Sequence, residues 1–132
     1  MKKVILILTL IFGINLSAQV VRHHKNGEVS SSGRQNVFGN KTGTWSYYYS
    51  NGNLRMRGQY KRDRKNGKWK SYYRNKNVKL IAYYKKKKKT GKWVSYFENG
   101  NIEFIGNYKK GRRTGEWKFY TEKGSLRRTQ NY

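Results

Sequence analysis

The chain has no cysteine and no proline among its 132 residues. A disulfide scaffold, a thiolate metal site, a nucleophilic thiol and a lipid-anchored cysteine are all excluded. Acids are scarce as well: six Asp and Glu, with Asp63 the single aspartate, stand against 31 Lys and Arg for a formal charge of +25. Two histidines, His23 and His24, complete the titratable set near neutral pH. So small an inventory starves most acid–base and metal chemistry. Long apolar runs are missing too, outside the first eighteen residues. No later segment reaches the roughly 20 apolar residues a membrane-spanning helix needs.

Aromatics are what the sequence has in abundance: twelve Tyr, four Trp and five Phe, with fourteen Gly. A disordered basic tail would lack them, so the chain is expected to fold despite its charge.

The N-terminus carries three features in a fixed order. Met1-Lys2-Lys3 is positive, Val4 to Ile14 is apolar apart from Thr9 and Gly13, and Leu16-Ser17-Ala18 ends on a small residue. This is the pattern of a secretory signal, with cleavage expected after Ala18. The mature chain would begin at Gln19, hold 114 residues and carry +23 after losing Lys2 and Lys3. The expected location is therefore outside the cytoplasm: periplasmic, cell-surface or secreted.

Internal repetition organises the rest. Trp45, Trp69, Trp93 and Trp117 recur every 24 residues, each closing a Gly-x-Trp at Gly43, Gly67, Gly91 and Gly115. Further columns stay in phase: Tyr48, Tyr72, Tyr96 and Tyr120, then Leu54, Val78, Ile102 and Leu126, then Tyr60, Tyr84, Tyr108 and Tyr132. A degenerate first copy runs from Asn26 to Gly33, one residue out of phase. Residues 1–18 thus form the signal, 19–42 an N-terminal segment with the degenerate copy, and 43–132 four repeats.

Within a copy the apolar period is two, a strand signal. Asn51-Gly52 and Asn99-Gly100, set between alternating runs, predict two-residue type I′ hairpins. That turn centre puts residue 49 opposite 54, Trp45 opposite Gly58 and Tyr60 opposite Gly43. Each aromatic would cover its cross-strand glycine: Trp45 over Gly58, Trp93 over Gly106, Tyr60 over Gly43. Joined by loops of about six residues, the hairpins predict an all-β fold, an elongated single-layer antiparallel meander of roughly eight strands. Arg128 and Gln130 in the last copy would blunt its edge, while open edges would still allow a homo-oligomer.

Tyr-Tyr-x-Asn-Gly-x-Leu, Gly-x-Tyr-Lys and Gly-Lys-Trp, repeated in this order over residues 43–132, resemble the MORN-repeat variant of bacterial YwqK-type antitoxin-component proteins. The resemblance implies tandem β-hairpins in one sheet and a binding or scaffolding role toward membranes, phospholipids or proteins. It carries no catalytic residue and no cofactor.

Three candidate sites follow. The inter-hairpin segments hold Lys61, Arg62, Arg64 and Lys65, then Lys85, Lys86, Lys87, Lys88 and Lys89, then Lys109, Lys110, Arg112 and Arg113. Their period places them on one edge about 9.6 Å apart, near the roughly 8 Å Debye length, so their fields add toward a polyanion. The second candidate is an outer-face column of Tyr48, Tyr72, Tyr96 and Tyr120, opposed by Arg55, Lys79, Glu103 and Arg127, where cross-strand pairing is the plainer reading. The third, His23-His24, lacks the acids or thiols of a metal site. Glu98 and Glu122 share a repeat position and so do not flank one glycosidic bond. The expected function is non-catalytic: an exported module for an anionic membrane or envelope polymer, or else for an acidic protein in antitoxin-like or immunity-like fashion. No small-molecule substrate is expected. Nucleic acid fits the charge but conflicts with export unless the target is extracellular.

Overall fold

The computed structural model describes residues 16–132 and the backbone pair Ile7–Leu8. The positive start of the signal and most of its apolar run lie outside the described residues. The strands are β1 (Ile7–Leu8), β2 (Ser17–His23), β3 (Val29–Asn36), β4 (Lys41–Tyr48), β5 (Leu54–Lys61), β6 (Arg64–Tyr72), β7 (Val78–Lys85), β8 (Lys88–Tyr96), β9 (Ile102–Lys109), β10 (Arg112–Tyr120) and β11 (Leu126–Asn131). They form one antiparallel sheet in sequence order, a pure meander of eleven strands among the described residues. That is three more than the repeat count predicts. The degenerate copy supplies a full hairpin, β2–β3, and β1 adds a two-residue stub.

The expected hairpin register holds where the rings are. Trp45 pairs with Gly58 and Tyr60 with Gly43; Trp69 pairs with Ala82, and Trp93 with Gly106. Near the turn it departs by one residue: Tyr48 pairs with Leu54, leaving Arg55 as the extra residue of a bulge. The cause is the turn itself. Tyr49 N–H donates to the Asn53 carbonyl and Gly52 N–H to the Tyr49 carbonyl, closing a three-residue loop. Gly52 is left-handed at φ 81, while Asn51 is not. This is a type I turn with a bulge, not the type I′ turn expected. Lys76 takes the same left-handed position, at φ 73, where the other copies place glycine.

Type I′ turns exist, but between repeats. The expected six-residue loops are two-residue turns: Arg62-Asp63, Lys86-Lys87 and Lys110-Gly111, with positive φ at both central residues of each. The flanking cations are strand residues, since Lys61 pairs with Arg64 and Lys85 with Lys88. Among the described turns between repeats, only the β3–β4 turn is longer. Asn36 N–H donates to the Asn40 carbonyl across Val37, Phe38 and Gly39. That single extra residue accounts for the phase slip of the first copy, in which Val20 takes the tryptophan position opposite Gly33.

A single sheet has to bury apolar surface against itself. Each indole achieves this by lying over the small residue of the preceding strand: a Cβ on Gly33, Gly58 or Gly106 would collide with Trp45, Trp69 or Trp117 respectively. The covering ring thus belongs to the following hairpin, and the expectation of Trp45 over Gly58 and Trp93 over Gly106 is corrected. Each indole Nε1–H donates to the next carbonyl along, Trp69 to Gln59 at 3.1 Å and Trp117 to Asn107 at 3.2 Å. Tyr60 does not cover Gly43 either, because nothing approaches that glycine's Cβ position. Gly43, Gly67, Gly91 and Gly115 instead adopt φ 62–72, within an irregularity that gives β4, β6, β8 and β10 extra residues against the strand before. Glycine takes this conformation without steric cost, which explains the Gly-x-Trp.

The result is a row of edge-on rings: Tyr60 to Trp69 at 5.0 Å and 83°, Tyr108 to Trp117 at 5.1 Å and 90°. Where Ala82 replaces glycine, Trp93 stands more tilted, 64° to Tyr84, and is 5 % exposed against 0 % for Trp45.

Candidate functional site

One long edge of the sheet carries all the turns that join repeats. In order they are Val37-Phe38-Gly39, Arg62-Asp63, Lys86-Lys87 and Lys110-Gly111. Each two-residue tip leans back on the preceding repeat through a backbone bond: Asp63 N–H to the Lys41 carbonyl (3.0 Å), Lys87 to Lys65 and Gly111 to Lys89 (both 2.9 Å). Asp63 also accepts the Lys41 N–H at 2.7 Å, so the one acid of this edge serves a structural bond.

The thirteen cations named from the sequence divide into two sets here. Lys61, Arg62, Arg64, Lys85, Lys86, Lys87, Lys88, Lys109, Lys110 and Arg112 are exposed on the edge. Several of them line two adjoining open concavities: Lys61, Arg62, Arg64, Asn66, Lys85 and Lys86 form one, and Lys85, Lys86, Lys88, Lys89, Thr90 and Lys110 the other. Lys65, Lys89 and Arg113 point instead over the aromatic row. Lys65 Nζ sits 4.4 Å from the Trp69 ring centre, Lys89 Nζ 4.8 Å from Trp93, and the Arg113 guanidinium 4.7 Å from Trp117. Lys41 does the same over Trp45 at 4.6 Å. Their stems shield the indoles while the charge meets the ring face, a favourable contact of about 0.5–2 kcal/mol. The signal was in the sequence: a cation stands four residues before every tryptophan.

Burial among these rings moves three titrations, those of Lys65, Tyr60 and Tyr84, the last raised chiefly by desolvation. Desolvation first, then the neighbouring Lys41 charge, lowers the Lys65 ammonium from its ordinary value. Desolvation, then the hydrogen bond with Tyr47, pushes the Tyr60 phenol up to about 12. Because the folded state holds the Tyr60 proton more tightly, that contribution to stability is complete below pH 10 and lost as pH rises toward 12. Lys65 acts oppositely: the penalty of burying its charge is relieved as pH rises toward its unfolded value of about 10.5 and is absent above it. Denaturant titrations across this range should show stability falling above pH 10, and Tyr60→Phe should flatten the fall.

The tyrosine column is half-buried beside the opposite edge. Tyr48, Tyr72, Tyr96 and Tyr120 pair with Leu54, Val78, Ile102 and Leu126. Arg55, Lys79, Glu103 and Arg127, expected opposite them, are the extra residues of the bulges. The carbonyls of Tyr48, Tyr72 and Tyr96 accept bonds from His24 Nε2, Tyr49 Oη and Tyr73 Oη, at 3.0, 2.7 and 2.7 Å. His24 therefore stands where later copies place tyrosine, as a strut between hairpins, while His23 is exposed. Asn53, Asn77 and Asn101 continue the bracing, donating to the carbonyls of Arg74, Glu98 and Glu122. Glu98 and Glu122 sit in separate turns on this edge.

Sequence reasoning missed one feature of the outer face. Ile81 pairs with Val94 and Val94 with Ile105 across three central strands, and Val94 is buried at 8 % exposure. The outer positions on either side hold Arg57, Lys70 and Lys118.

One open sheet of tandem hairpins, each repeat docking a Gly-x-Trp on the hairpin before it, defines a β-hairpin repeat protein. The family model described as MORN repeat variant matches residues 41–62, 65–86, 89–110 and 113–132. The chain belongs to this family. Each matched unit is one hairpin with its three-residue turn. A comparison with curated proteins gives no match.

Proposed function

We propose that the chain is an exported, non-catalytic binding module whose cationic edge engages a polyanionic surface, either a membrane or an envelope polymer. One observation carries this reading. Type I′ turns favour Asn-Gly, yet these tips hold Arg62-Asp63, Lys86-Lys87 and Lys110-Gly111, with Lys86 at φ 49 and Lys87 at φ 75. A non-glycine residue in this region costs about 1–2 kcal/mol, and like charges on neighbouring tips repel. Fold stability alone favours neither. A demand for charge at the apex of each turn accounts for both.

A delocalised field has no indispensable residue, so loss on neutralisation should be graded and steeply salt-dependent. Changing Lys85–Lys88 to Gln should weaken heparin binding several-fold at low salt, with further loss as the Lys109–Arg112 segment follows. Unchanged affinity would defeat the reading. Export is tested by intact mass: protein recovered outside the cytoplasm should begin at Gln19.

The second reading is a specific acidic protein partner, favoured by the Ile81–Val94–Ile105 patch with its cationic surround. It makes a different expectation, because a few buried anchors would carry most of the energy. Ile81→Ser would then abolish binding, while charge changes would act mainly on the association rate.

A further inference from the structure

The first tip of the cationic edge is apolar, and among the described residues it holds the most exposed large apolar side chains: Phe38 is 84 % and Val37 62 % accessible. It is also firmly built. Asn36 holds the turn from both of its acceptors, its side-chain oxygen taking the N–H groups of Phe38 (3.1 Å) and Asn40 (3.0 Å) and its carbonyl taking Gly39 (2.9 Å). Three backbone donors of the tip are thus satisfied within the turn, which removes much of the cost of taking it out of water. The residue that breaks the 24-residue phase is the one that makes room for this pair. The neighbouring tip is tied to it through Lys41, which bonds Asp63 with both backbone groups.

Resting on the reading of the edge as anion-binding, we propose that its partner is an anionic lipid bilayer, with Val37 and Phe38 entering the acyl boundary while Arg62, Lys86, Lys87 and Lys110 lie among the headgroups. A soluble polyanion satisfies the cations but gives an exposed phenylalanine nothing apolar to enter. A bilayer offers both layers in the order the edge presents them.

The test uses the full chain, vesicles of mixed phosphatidylglycerol and phosphatidylcholine, and heparin as the soluble polyanion. Val37→Ser/Phe38→Ser alters only exposed side chains, and circular dichroism checks the fold. It should bind the vesicles about tenfold or more weakly and heparin as tightly as the parent. In a second arm, Phe38→Trp should be quenched by vesicles with brominated acyl chains, against four native tryptophans that lie buried in the sheet. Equal vesicle affinity of the serine variant, a parallel loss toward heparin, or an unquenched Trp at position 38 would each overturn the insertion. Salt-insensitive binding of both probes by the parent would instead overturn the reading of the edge, and the insertion with it.

Discussion

Trp69→Ala is expected to lower the unfolding free energy by about 3–5 kcal/mol, the range for deleting a buried indole. The ring is 2 % exposed, covers Gly58, meets Tyr60 edge-on at 5.0 Å and lies under Lys65. Its removal leaves bare backbone on β5 and an unmatched Gln59 carbonyl. The damage extends beyond one hairpin, because a linear array is held by neighbour contacts, and this ring joins the β4–β5 hairpin to β6–β7. Gly58→Val should be damaging for the complementary reason, its side chain colliding with the same indole. Chemical denaturation of the two variants against Phe38→Ala, which removes an exposed side chain, checks the account. Equal midpoints for all three would contradict it.

The period, the strand pairing and the ring-bearing register were legible in the sequence, because four copies repeat the same pairs and errors cannot average in their favour. What escaped was decided by backbone geometry. Gly58 is in register with both Trp45 and Trp69, so pairing alone leaves the covering ring undecided. The bulge at Gly67 tips the choice. The Asn-Gly pairs announce a turn but share that signal with the three-residue loop found here. Composition marked the lysine-rich segments as loops, although Lys61–Arg64 and Lys85–Lys88 are strand pairs closed by two residues. Lys65, Lys89 and Arg113 drew notice for their charge, while their place above the indoles lay in a column that charge counting passes over. Phe38 gave no periodic signal at all, since it occupies the inserted residue.

The most direct measurement of the central claim replaces the cationic tip residues by those their turns prefer, Arg62→Asn, Lys86→Asn, Lys87→Gly and Lys110→Asn together, with Asp63 kept for its bond to Lys41. Two quantities are then read on the same protein, its thermal midpoint and its low-salt affinity for heparin. If charge at the apex was kept against the turn's own preference, the two should move in opposite directions. The midpoint should rise, because left-handed strain and repulsion are relieved, with each relaxed turn worth about 1 kcal/mol. Affinity should fall by an order of magnitude or more, with a shallower salt dependence as fewer counterions are released. A variant that binds as tightly as the parent, at whatever midpoint, would contradict the claim that this edge exists to meet an anion.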